Sequence, residues 1–146
     1  MPENAETWEV RKSIFEFLRE CGASYLRSSV RPSDKNHPYI QVLRSTDAVE
    51  IALYVSDLQC EILTYVVSLD STGELDSRIL AGINRHPPTG ATFVDCSNEP
   101  RHGYSTRNVC KLVRSVDWEN ITEANRCAIL DDYNWLVGEL CRIGVL

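Results

Sequence analysis

Residues 49–69, VEIALYVSDLQCEILTYVVSL, decide how the chain is to be read. Val49, Ile51, Leu53 and Val55 alternate with Glu50, Ala52 and Tyr54, and that period of two puts each set on its own face of a strand. Residues 60–69 are rich in β-branched and aromatic side chains, with apolar groups on both faces, as a more central strand requires. The link Ser56-Asp57-Leu58-Gln59 is short, so the simplest pairing of the two strands is antiparallel.

Working upstream, residues 39–46 alternate weakly and join the same meander through Ser45-Thr46-Asp47-Ala48. Before them, residues 27–38 read as a loop by turn chemistry, with Pro32 and Pro38 bracketing Ser33-Asp34-Lys35-Asn36. Val10, Ile14, Phe17 and Leu18 recur at helical spacing and predict a first helix over residues 6–20, with Gly22 as its stop. Working downstream, Asp70-Ser71-Thr72-Gly73 breaks the strand. Leu75, Ile79, Leu80 and Ile83 then mark a short helix that ends at Asn84-Arg85-His86-Pro87-Pro88. Two more strands, 91–96 and 109–116, flank a polar loop containing His102. Thr122 is the expected N-cap of a long closing helix that runs to Gly144.

The expected fold is therefore one α+β domain over residues 1–146, in the order α-β-β-β-α-β-β-α, with a mostly antiparallel sheet covered by helices. Leu53, Val55, Val67, Leu80 and Leu140 are expected in the core between sheet and helices.

Composition narrows the function classes. The formal charge of -6 lacks the clustered cations that a nucleic-acid footprint needs. Glu50, Asp57 and Glu61 interrupt the apolar runs, so none is long enough to cross a bilayer. The first residues have neither a basic n-region nor an apolar h-region, and a cytoplasmic protein is expected. Six cysteines (Cys21, Cys60, Cys96, Cys110, Cys127 and Cys141) contain no Cys-x-x-Cys pair, which leaves a zinc site without its usual start. Most are expected to be buried or semi-buried thiols acting as small apolar residues.

His37, His86 and His102 all fall in expected loops, where no pair has rigid metal-ligand spacing. Cys96, His102 and Cys110 share one hairpin and are the only local arrangement that suggests a thiol nucleophile, which also needs an activated thiolate. Asp131, Asp132 and Glu61 offer carboxylates without a pair over a cleft. Single scattered glycines form no phosphate cradle. No cofactor and no metal are expected, and the balance favours a binder over an enzyme.

The closing helix has a broad stripe of Ile129, Leu130, Tyr133, Leu136, Val137, Leu140 and Cys141, enough to pack it on the sheet. Trp135 falls nearly opposite Tyr133 and Val137, among Ala128, Asp131 and Arg142. An exposed indole is a common interface anchor, so Trp135, Asp131 and Arg142 are the candidate partner-binding residues.

Several phrases carry a resemblance. Arg78-Ile79-Leu80-Ala81-Gly82-Ile83-Asn84 followed by Gly90-Ala91-Thr92-Phe93-Val94-Asp95 resembles the helix-to-strand passage of the YbjN-like bacterial proteins. Those are grouped as sensory-transduction regulators and share the class I type III secretion chaperone fold. Phe15-Glu16-Phe17-Leu18 with Ala23-Ser24-Tyr25, and the strand from Val49 to Val55, fit the same pattern. The resemblance implies a homodimer that binds an extended segment of a client protein without cofactor or bond breaking. It transfers no site residues, because the match is architectural. The Pro-containing loop at 27–38 and the number of cysteines depart from the pattern.

The expected function is thus a non-enzymatic protein-binding adaptor or chaperone-like regulator, with a protein client or a second copy as partner. The alternatives are a thiol-dependent enzyme at the Cys96 to Cys110 hairpin, and a small-molecule sensor with a pocket between sheet and helices.

Overall fold

The computed structural model describes residues 5–21, 29–32, 39–56, 58–67, 73–97 and 107–146. In chain order these form α1 (Ala5–Glu20), β1 (Ser29–Pro32), β2 (Tyr39–Ser45), β3 (Val49–Ser56), β4 (Gln59–Val66), α2 (Glu74–Gly82), β5 (Ala91–Asp95), β6 (Arg107–Ser115) and α3 (Glu123–Ile143). The strands make one sheet in the order β1-β2-β3-β4-β6-β5, antiparallel at every pairing. The α+β class and the mostly antiparallel sheet match the sequence reading. One strand was not anticipated. Ser29–Pro32 lies in the stretch read as a loop, yet it pairs with β2 at the sheet's edge, where a proline can end a strand because one side of it needs no donor.

The alternation in β3 works as its sequence dictates. Val49, Ile51, Leu53 and Val55 enter the main core together with Cys60, Ile62 and Val66 of β4 and Leu112 of β6. Ile14, Phe15 and Leu18 of α1, Ile79 of α2, and Ile129, Tyr133, Leu136 and Leu140 of α3 meet them there. All three helices thus pack on one face of the sheet. On the opposite face Ala52, Leu63 and Tyr65 form a smaller buried cluster flanked by Tyr54. Beside it, Lys111 Nζ of β6 lies 2.7 Å from the buried Glu61 carboxylate of β4.

Of the five expected core residues, Leu53, Val55 and Leu140 are buried. Val67 and Leu80 are only half-buried. In α2 the single buried position falls to Ile79, while Val67 follows the end of β4 and bonds through its N–H to the Ala48 carbonyl. Helix α3 starts as expected, its Thr122 hydroxyl accepting the Asn125 N–H at 3.2 Å. It ends on Gly144, whose φ of 88° is a left-handed conformation that other residues rarely adopt. Before α3, Trp118 pins a short 3₁₀ turn to the sheet by donating its indole N–H to the Ser56 carbonyl at 2.8 Å.

Helices α2 and α3 cap each other. Arg78 of α2 donates to the Ile143 carbonyl at 3.0 Å, and Arg142 of α3 donates to the Gly82 carbonyl at 2.6 Å. Each arginine thereby satisfies an orphan carbonyl at the negative end of the other helix. Glu139 completes the clamp: its carboxylate accepts the Asn84 N–H at 2.8 Å and Arg142 at 2.7 Å.

Candidate functional site

Ladder geometry singles out the outer edge of β5. The Cys96 N–H donates to the Val109 carbonyl just past the strand, so Thr92, Val94 and Cys96 direct their backbone groups at β6. Ala91, Phe93 and Asp95 therefore point theirs away from it. Ala91 confirms this phase, because its N–H turns outward to the Pro88 carbonyl at 3.0 Å. Among the described residues no strand pairs with this edge. The N–H groups of Phe93 and Asp95 and the Phe93 carbonyl form a short open row, the arrangement that accepts an added strand.

Side chains arm the same edge. Phe93 lies opposite Leu112 and packs on the main core. The Arg85 guanidinium, delivered by the segment after α2, stands 5.1 Å from the Phe93 ring centroid and donates to the Leu80 carbonyl at 3.2 Å. Asp95 Oδ2 lies 3.6 Å from it. Asp95 in turn accepts the Ser97 N–H at 2.8 Å, and bonding to Ser97 holds its carboxyl below the usual carboxylate value.

One strand further in lies a buried ion pair that the sequence did not announce. Arg114 of β6 grips Asp132 of α3 with two bonds of 2.7 and 2.8 Å. Asp132 is only 2% exposed although it sits in a helix whose buried residues are otherwise apolar. Burial pushes the Asp132 carboxyl up while Arg114 pulls it back, and Asp132 in turn holds Arg114 above its ordinary value. Gly90 makes room for the guanidinium, since a Cβ there would collide with Arg114. A second bidentate pair, Arg107 with Asp76 at 2.8 and 2.9 Å, ties β6 to α2. Neither aspartate was identified as half of an ion pair from sequence, because each arginine lies far away along the chain.

Of the residues expected to bind a partner, Asp131 and Arg142 are exposed and Trp135 is not. Trp135 is half-buried and packs against the core, which corrects its expected exposure. The reason is helical phase: Asp132, Trp135, Glu139 and Arg142 share one flank of α3, and three of these four bond to β6 or to the end of α2. Arg142 is spent on Gly82 and Glu139. Asp131 is exposed, as is Cys141, which was expected in the stripe. Trp135→Glu is accordingly expected to cost about 2 kcal/mol of fold stability, a value typical of a disturbed packed residue. Denaturant titration measures it, and an unchanged midpoint would place the indole back on a free surface.

Both thiols of the hairpin are withdrawn from solvent. Cys96 and Cys110 are buried, and burial pushes the Cys110 thiol up to about 11. Burial, with Asp132 and Glu61 nearby, drives the Cys60 thiol higher still. His102 and His37 lie outside the described residues. All six cysteines are free, but they divide evenly: Cys60, Cys96 and Cys110 are buried, whereas Cys21, Cys127 and Cys141 are exposed. Iodoacetamide on the native protein is expected to label the exposed three and spare the buried three until denaturant is added. Mass spectrometry of the digest reads this directly, and early labelling of Cys96 or Cys110 would contradict it.

Among the described residues, no His, Cys, Asp and Glu side chains cluster so as to hold a metal ion, and no helix is long and apolar enough to cross a membrane. Comparison with known proteins adds no relative: no family model, no curated protein and no solved structure matches this chain.

Proposed function

We propose that this chain is a non-enzymatic protein-binding domain, an adaptor or chaperone-like regulator, that holds an extended polypeptide along β5. The observation that carries the reading is the open row of backbone donors and acceptors at Phe93 and Asp95. Main-chain bonds from an added strand give affinity without requiring a fixed partner sequence. The element order supports the same reading through its resemblance to the YbjN-like and secretion-chaperone pattern, in which a second copy of the chain is the alternative occupant. Six free thiols suit a reducing compartment such as the cytoplasm. Trp135, Asp131 and Arg142 remain a proposed second contact, in which Asp131 and Arg142 are the exposed members.

Asp95→Pro tests the reading. The Asp95 N–H points away from β6, so proline removes an outward donor and leaves the β5–β6 ladder paired. Val94, which precedes it, is already extended as a residue before proline prefers. Extended seven-residue peptides are screened against the full chain by amide shift perturbation at β5. Binding that perturbs Phe93 and Asp95, and that Asp95→Pro abolishes while far-UV circular dichroism is retained, is the expected result. Peptide binding indifferent to Asp95→Pro, or a screen in which no peptide touches β5, overturns the reading.

A further inference from the structure

We propose that the β5 edge prefers an extended segment with a carboxylate opposite Phe93, and that Arg85 reads that carboxylate. The inference rests on the strand-capture reading and adds the chemistry of the partner. A strand added antiparallel to β5 forms a hydrogen-bonded pair with Phe93, because the backbone groups of Phe93 face outward. The partner residue there puts its side chain on the helix side of the sheet, about 5 Å from that of Phe93. Arg85 occupies that side, 5.1 Å from the Phe93 ring, with its side chain half-exposed.

The guanidinium has capacity left. Among the described residues its one bond of ordinary length goes to the Leu80 carbonyl at 3.2 Å, whereas arginine has five N–H donors. Asp95 Oδ2 is paired with it at 3.6 Å, longer than the roughly 2.7–2.9 Å of a charge-assisted bond, while Asp95 Oδ1 is held by the Ser97 N–H. A carboxylate arriving opposite Phe93 meets a half-exposed guanidinium, whose fork of N–H donors suits two parallel bonds to a carboxylate. A second copy could supply its own Asp95 to the same place. It would also bring a charge of -6 against -6, which opposes association. A short segment with one carboxylate avoids that cost, and the foreign segment is the occupant we assign.

The test uses the full chain and three alternating Thr/Val heptapeptides that differ only at the central residue, which is Glu, Gln or Lys. The expected order of affinity is Glu above Gln above Lys. The Glu peptide should bind about tenfold tighter than the Gln peptide, the worth of one good charge-assisted bond, and should protect the Phe93 and Asp95 amides from hydrogen exchange. Arg85→Gln should erase the difference between Glu and Gln while leaving the Gln peptide's affinity in place. Arg85→Lys, which keeps the charge without the fork, should retain only part of the difference. If Glu and Gln peptides protect the edge equally, the acidic preference is overturned and strand capture stands. If no peptide protects those amides, both are overturned. If the amides are protected without peptide, and sedimentation shows a dimer, the occupant is a second copy and the assignment to a foreign segment is overturned.

Discussion

Arg114→Met is expected to cost the fold about 3–5 kcal/mol at neutral pH, the penalty for breaking a buried ion pair and leaving one charge alone. The charge left behind is Asp132, 2% exposed and bonded by its side chain to nothing but Arg114 in the described structure. Burial already raises the Asp132 carboxyl in the intact protein. Without the guanidinium it rises further, so the folded variant holds its proton where the unfolded chain, near about 3.9, has lost it. Stability linked to this group is fully present below that unfolded value and is lost as pH rises through the folded one. The deficit of Arg114→Met against wild type should therefore be smallest near pH 4 and largest at neutrality. Wild type follows the same sign more weakly, because Arg114 pulls the carboxyl back. Arg114→Met combined with Asp132→Leu should regain most of the loss, since an apolar pair of similar volume needs no desolvation of charge. Urea titrations across pH decide it, and a deficit that grows toward acid would show that Asp132 is not the group responsible.

Leu53→Ala and Leu140→Ala should each lower stability by about 2–5 kcal/mol. Both side chains are fully buried in the main core, Leu53 from the sheet and Leu140 from the helix layer that covers it. The spread reflects how far neighbours can close on the lost volume. Leu53 sits on β3, paired on both sides by β2 and β4, and a central strand has little freedom to move. Leu140 lies near the α2–α3 clamp, where the two arginine caps hold both helix ends. Neither site collapses easily, so the upper half of the range is expected for both. Thermal unfolding monitored by circular dichroism reads the effect, and an unshifted midpoint for either would remove that residue from the core.

What could be read from sequence, and what could not, follows from the range of each physical signal. The faces of β3 were legible because period-two alternation is local, and the start of α3 because Thr122 bonds a donor three residues away. Residues 29–32 were not legible as a strand: Pro32 and the polar residues around it speak for a loop, and only pairing with β2 overrides them. Trp135 was placed too far outside because an apolar count ignores polar residues that are buried through partners. Asp132 is buried by Arg114, eighteen residues earlier, and it draws that flank of α3 inward. The open edge itself depends on strand order. Sequence suggested that β5 and β6 form a hairpin, and the structure shows them paired. Nothing local reveals that β6 inserts beside β4 and leaves β5 outermost.

That insertion has a consequence for the chain while it is being made. Strand β4 ends at Val66 and its second neighbour begins at Arg107, about forty residues later. At a synthesis rate of about 5–20 residues per second, β4 waits seconds on the ribosome with one side unpaired. It is also the strand buried at nearly every position in the finished protein, so during that interval it is a flat, apolar template for any neighbouring nascent chain. A translational pause placed between these two strands should lower the soluble yield, whereas the same pause after β6 should not.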